Sequence, residues 1–146
     1  MRFDSPEKVF INEKQLALMD EDFENILELP VKNMRREEQV AELDLGGVIL
    51  KAVYHTAENP PLLKVGIRAK DILIATEKIK GISARNILSA IIEKVERTGD
   101  MVLVSCRVGE RRLWVEITPG SFRELNLHIS QIVYLIIKAR SITVLD

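Results

Sequence analysis

From residue 23 onward, apolar and polar side chains alternate in short runs separated by turn residues, the period-two signature of strands with one buried face. The run from Val40 to Leu45 alternates, Gly46 and Gly47 mark a turn, and Val48 to Tyr54 runs back. Glu58-Asn59-Pro60-Pro61 reads as a loop, and strands are predicted from Leu63 and again over 71–75. Lys78 to Ile82 reads as a linker. Met101 to Val108 and Leu113 to Ile117 flank the turn Gly109-Glu110-Arg111 as a hairpin, and Val133–Ile137 and Ser141–Leu145 are predicted as the last strands. Two stretches break this pattern. Ser5 can cap a helix that Pro6 begins and Glu7 favours through the helix dipole, so a helix is predicted over 5–18, with Val9, Phe10 and Leu16 to bury. Ser121 and Glu124 have the spacing of a capping box, which predicts a short helix over 121–127.

The alternating region repeats itself. Glu24-Asn25-Ile26-Leu27 opens one unit and Arg85-Asn86-Ile87-Leu88 a second. Ile67-Arg68-Ala69-Lys70-Asp71-Ile72 closes the first, and Ile137-Lys138-Ala139-Arg140-Ser141-Ile142 closes the second. The expected organisation is a lead-in over 1–21, a first small barrel over 22–78 and a second over 82–146. The fold class is all-β, two tandem OB-like barrels with short helices at the N-terminus and in the second unit. Units of this size are marginal alone, so they are expected to pack on one another or on a second chain.

Composition narrows the function. A net charge of −1 offers no global basic field for nucleic acid. No apolar run reaches the length of a membrane span, and no secretion signal is visible at the N-terminus, so a cytoplasmic protein without direct membrane insertion is expected. The lone Cys106 permits no intrachain disulfide and lies in an apolar alternating run, where an inert buried thiol is expected. His55 and His128 are isolated, and neither has the neighbours a metal site needs. Trp114 reads as a core or interface residue, and the charged stretch Met34-Arg-Arg-Glu-Glu as a solvated hairpin turn. No nucleophile, base and orienting group come in a recognisable set, and no phosphate loop occurs, so this chain is not expected to be an enzyme by itself.

Ile82-Ser83-Ala84-Arg85-Asn86-Ile87-Leu88 resembles the opening of the Mop-type TOBE module, which begins Ser-Ala-Arg-Asn. Thr118-Pro-Gly-Ser121, with Glu124 to Leu127, resembles that module's central turn and helix, and Val133 to Ala139 its closing strand. The first unit is a weaker copy. The lead-in from Asp4 to Phe10, with the stretch from Asp22 to Leu27, resembles the segment that follows the nucleotide-binding domain in molybdate/tungstate ABC importers. The resemblance implies a regulatory oxyanion-binding region of an importer's ATP-binding subunit, with molybdate or tungstate as ligand. It implies as partners the nucleotide-binding domain and, through it, the membrane permease, with a second copy of the region as homodimer. The location would be cytoplasmic, peripheral to the inner membrane.

Molybdate and tungstate are tetrahedral dianions that accept hydrogen bonds and offer no protons. Their site must therefore gather hydroxyls, backbone N–H groups and one or two cations. By resemblance the oxyanion-binding residues are Ser83, Ala84 and Arg85 from the opening motif and Lys138, Ala139 and Ser141 from the closing one, with Thr118 and Ser121 as further candidates. In the first unit Asp22, Glu24 and Asp71 stand opposite Ser83, Arg85 and Ser141. Three acceptors in place of donors would repel a dianion, so that unit is expected to be a structural copy with a degenerate site. Two other readings stay open: a structural dimerisation module that holds no anion, and a PDZ-like peptide-binding domain, which Val65 to Ile74 resembles.

Overall fold

The computed structural model describes residues 23–145; the helix expected over 5–18, and Asp22, lie outside the described residues. Among the described residues are ten strands: β1 (Glu24–Arg35), β2 (Val40–Asp44), β3 (Ile49–Val53), β4 (Leu62–Arg68), β5 (Leu73–Ala75), β6 (Asn86–Thr98), β7 (Met101–Val108), β8 (Arg111–Ile117), β9 (Ile132–Ile137) and β10 (Ile142–Leu145). A single short helix, α1 (Pro119–Glu124), lies between β8 and β9, and no described helix is long and apolar enough to cross a membrane. The strands pair antiparallel in two five-stranded sheets, ordered β10-β4-β1-β2-β3 and β5-β9-β6-β7-β8. This is the all-β tandem-barrel class that the alternation predicted.

Each sheet takes one strand from the other half of the chain. β10, at the end of the second unit, adds to β4 of the first with Ile142 opposite Ile67. β5, at the end of the first, adds to β9 of the second with Leu73 opposite Ile136. A three-residue turn of tight helix precedes each crossing, Ala69–Asp71 before β5 and Ala139–Ser141 before β10. Alternation puts Leu29, Leu43, Leu50, Val65 and Ile67 of one sheet, and Ile92, Val104, Leu113, Leu135 and Ile137 of the other, into one continuous core that also takes in Ile142. The two repeats therefore bury their apolar faces together, which relieves the marginal size of either alone. The PDZ-like reading does not survive this topology. Val65 to Ile74 runs from the middle of one sheet into the edge of the other.

A pair of buried asparagines ties the halves. Asn25 Nδ2 donates to Ile67 O at 3.1 Å and to Trp114 O at 3.0 Å, while its Oδ1 accepts from Trp114 N at 2.8 Å. Asn86 repeats the pattern, donating to Ile137 O at 3.0 Å and Lys51 O at 2.9 Å and accepting from Lys51 N at 2.7 Å. Each amide thus serves as a surrogate strand for an edge strand of the opposite half, β8 or β3. The hairpin turns after β2 and β7 also meet. Glu110 N donates to Leu45 O at 2.9 Å, and Gly109, at φ 60°, comes so close that a Cβ there would lie 2.7 Å from Leu45 O and Gly46 O. Only glycine combines that left-handed backbone with that approach.

The β2–β3 turn is set by Asp44, whose Oδ1 accepts from Gly46 N at 2.8 Å and Gly47 N at 2.9 Å. Those backbone donors hold the Asp44 carboxyl below the usual carboxylate range, and the hydrogen bond from Arg35 does the same for Glu42. Carboxyls depressed in the folded chain contribute stability above their ordinary value, about pH 4, and that contribution is lost as the pH falls through the folded values. Asp44→Asn is expected to lower the urea midpoint near neutral pH, and the gap to wild type is expected to narrow as the pH is taken down to about 3. An equal gap at both pH values would mean that the ionised carboxylate does nothing for the turn.

The helix cap lies three residues before the expected one, and the helix ends at Glu124 rather than 127. Thr118 is the N-cap, its Oγ1 accepting from Ser121 N at 3.1 Å, and Pro119 takes the first helical position. Proline there has no N–H to leave orphaned, so Thr118-Pro119 outcompetes the Ser121–Glu124 box as the start.

Candidate functional site

The opening and closing motifs of the second half meet within one chain. Ser83, Ala84 and Arg85 lead into β6, and Lys138 to Ser141 form the tight turn between β9 and β10. Because Asn86 and Ile137 are paired residues of neighbouring strands, whatever precedes Asn86 must lie beside whatever follows Ile137. The segments border two adjoining clefts, with Ser83 and Lys138 lining both.

The first cleft, about 420 Å³, is lined by the polar residues Lys70, Asp71, Ser83, Lys138 and Ser141 and by the apolar Leu73, Ile82, Ala84 and Ile136. Lys70 and Asp71 belong to the first half's closing turn, carried here by the exchange of β5. The second cleft, about 390 Å³, lies between the second half and the β1–β2 turn and β3 of the first. Arg85, Lys138 and Arg140 bring three cations to it, Ser83 a hydroxyl and Glu38 a carboxylate. Arg85 Nη2 is 3.1 Å from Glu38 Oε1, in a pair whose side chains are about half exposed (45% and 46%). Such a pair is worth about 0–1 kcal/mol and breaks readily when a better partner arrives.

Ser83, Ala84, Lys138 and Ser141 therefore line the first cleft, and Ser83, Arg85, Lys138 and Ala139 the second. Thr118 and Ser121 line neither; they are exposed and bonded to each other at 3.1 Å at the start of α1. Lys70, Arg140 and Glu38 were not singled out as site residues. Arg140 could have been found from its place in the closing motif; Lys70 and Glu38 are brought in by long-range pairing that leaves no mark on the local pattern.

The described residues at the first half's opening differ from those of the second. Phe23, at the position of Ala84, packs with Trp114 around the buried Leu103, and Ala69 N donates to Phe23 O at 2.9 Å. Glu24, at the position of Arg85, lies over Gly66, where an added Cβ would meet Glu24 Oε2 at 2.6 Å. Trp114 thus packs at the junction of the halves. Cys106 is fully buried, and burial first, with Glu93 second, pushes its thiol up to about 12. A thiol so seldom ionised contributes neither nucleophile nor ligand near neutral pH.

Comparison with known proteins bears directly on these clefts. The family model described as the TOBE domain matches residues 82–144, the stretch that holds both motifs. Residues 82–144 are thus similar to a TOBE domain. The chain is 29% identical over 120 residues to the molybdenum import ATP-binding protein ModC of Haemophilus ducreyi, an alignment covering 81% of this chain and 34% of that protein. It is 34% identical over 82 residues to the molybdate/tungstate import ATP-binding protein WtpC of Pyrococcus abyssi, covering 56% of this chain and 24% of that one. The chain thus spans a quarter to a third of the length of these relatives. A solved structure of the cytoplasmic molybdate-binding protein ModG, with molybdate bound, superposes with a TM-score of 0.69 at 22% identity, covering 82% of this chain and 94% of that one. At that identity the likeness is one of fold. It extends beyond residues 82–144, so the first half shares the tandem-barrel architecture.

Proposed function

We propose that this chain is the oxyanion-binding region of an ABC importer's ATP-binding subunit and takes up molybdate or tungstate in the clefts around Ser83 and Lys138. The observation that carries the reading is the convergence of the two motifs inside the TOBE-like stretch. A hydroxyl and an ammonium stand between two clefts that also offer Ser141, Arg85 and Arg140. This donor set suits a guest with four acceptor oxygens and no proton to give. The anion would be held by hydrogen bonds from Ser83 and charge-assisted ones from Lys138 and Arg85, with backbone N–H groups near Ala84 and Ala139 in support. The names of the related import proteins support the same ligand class.

Both clefts are open grooves much larger than one tetrahedral anion. Full desolvation of a dianion would therefore need a further surface, and a second copy of this region is the proposed one. Within a transporter, binding when cytoplasmic anion is plentiful would favour an inactive arrangement. That regulatory effect requires the anion to prefer one of two states. The partners are then the nucleotide-binding domain and the permease, and the location the cytoplasmic face of the inner membrane. The chain itself acts by binding, not by chemistry.

Calorimetric titration of the chain with molybdate and with tungstate, sulfate serving as control, tests the reading. Saturable heat is expected for the first two. Lys138→Ala is expected to weaken molybdate binding at least about ten-fold, the size of one lost charge-assisted hydrogen bond. No heat at millimolar ligand would refute the reading. One observation favours a structural module without a guest: Arg85 already has a carboxylate partner in Glu38. No molybdate binding by the wild type, with dimerisation unchanged in Ser83→Ala with Arg85→Ala, would decide for it.

A further inference from the structure

We propose that Glu38 is a built-in competitor for the anion, a carboxylate supplied by the first half that occupies Arg85 until the guest displaces it and so sets the concentration at which the site fills. The inference rests on the oxyanion reading of the clefts.

Glu38 lies in the turn between β1 and β2, far from Arg85 in sequence, yet its Oε1 is 3.1 Å from Arg85 Nη2. The turn is not a loose tether. Arg36 Nη1 donates to Thr56 O at 3.0 Å, and its Nη2 donates to Glu58 O at 3.2 Å and to the Asn59 side chain. Gln39 takes the left-handed conformation at φ 56°, and its carbonyl accepts from Tyr54 N at 2.8 Å. Glu38 N donates to Arg35 O at 3.1 Å, closing the turn. With the backbone anchored on both sides of it, Glu38 is presented to the cleft that Ser83, Arg85, Lys138 and Arg140 line.

A carboxylate so held competes as an intramolecular ligand, whose effective concentration is of millimolar order. It also places a negative charge across the cleft from an incoming anion. Both effects oppose binding, and neither removes the site, because the Glu38–Arg85 pair is half exposed and weak. The first half, which carries Phe23 and Glu24 where the second carries Ala84 and Arg85, would then act on the second half's site as a threshold element. A sensor whose Arg85 is already engaged fills only when the anion is abundant.

The test is molybdate titration of the whole chain as wild type, Glu38→Gln and Glu38→Asp. Glu38→Gln keeps size and hydrogen-bonding groups on an exposed turn, so folding should be preserved, with a thermal melt as control. Molybdate is expected to bind this variant about three- to five-fold tighter, the range set by losing one exposed ion pair. Glu38→Asp keeps the charge but shortens the reach to Arg85, and is expected to move with Gln. If wild type binds molybdate and Glu38→Gln binds it no tighter, Glu38 is not a competitor and the proposal falls while the oxyanion site stands. A gain for Gln with none for Asp would assign the effect to the general field and overturn the contact as its cause. If no protein of the series binds molybdate, the oxyanion reading itself fails and takes this inference with it.

Discussion

Asn86→Ala is expected to destabilise the fold by about 3 kcal/mol, a loss that the residue's small size conceals. The Asn86 amide is 1% exposed and bonds Lys51 N, Lys51 O and Ile137 O, two of them across the boundary between the halves. β3 is the outer strand of its sheet, so no neighbouring strand in that sheet replaces the side chain for Lys51. Removing the amide loses three hydrogen bonds of about 1 kcal/mol net each, and more where water cannot reach the orphaned groups. Asn86→Asp should be no milder, since a carboxylate would face the carbonyls of Lys51 and Ile137 with no proton to give. Urea denaturation followed by circular dichroism measures the effect. A change below about 0.5 kcal/mol, the range of an ordinary surface substitution, would mean that the clasp does not join the halves. Asn25→Ala should cost a similar amount, and because the two clasps hold different edge strands the double variant should lose nearly the sum.

The asparagines also show what the repeat in the sequence encodes. Asn-Ile-Leu recurs at 25–27 and 86–88 because both halves need an amide in that place to hold the other half's edge strand. What differs around the repeat carries the functional asymmetry. Where the first half has Phe23 and Glu24, the second has Ala84 and Arg85; Phe23 packs on Leu103 and Glu24 covers Gly66, whereas Ala84 and Arg85 border open clefts. β2, β7 and β9 were legible as apolar runs of five residues or more bounded by turn residues, whereas β1 and β6, the two longest strands, were not singled out. The exchange of β5 and β10 was not legible. A strand of three or four residues, such as Leu73–Ala75 or Ile142–Leu145, shows that it is half buried but not which sheet receives it. The cap of α1 was missed because Ser121 and Thr118 both satisfy a local capping pattern, and proline at 119 decides between them. Glu38 sat in a charged turn of the kind usually given over to solvent, and only the folding of one half against the other brings it to Arg85.

Removing β10, by ending the chain at Ser141, is expected to cost more than any single substitution above, about 4 kcal/mol. Ile142 is 3% exposed and part of the common core, and Val144 packs partly against it, so full burial of one and partial burial of the other are lost together. β4 would also become an unpaired edge with Val65 and Ile67 newly exposed, a surface prone to pairing with another chain. Against a typical stability of 5–15 kcal/mol this takes a large share of what holds the domain folded. The more telling result is where the loss appears. The deleted strand belongs to the second unit in sequence and to the first sheet in space, while Trp114 reports on β8 of the second sheet. With one core and two amide clasps crossing the boundary, the chain should unfold as a single cooperative unit. Tryptophan fluorescence and circular dichroism should therefore shift together to the same lower urea midpoint in the truncated protein. If circular dichroism shows an early transition while the Trp114 signal keeps its original midpoint, the sheets unfold independently, and the exchange of strands does not bind the two repeats into one domain.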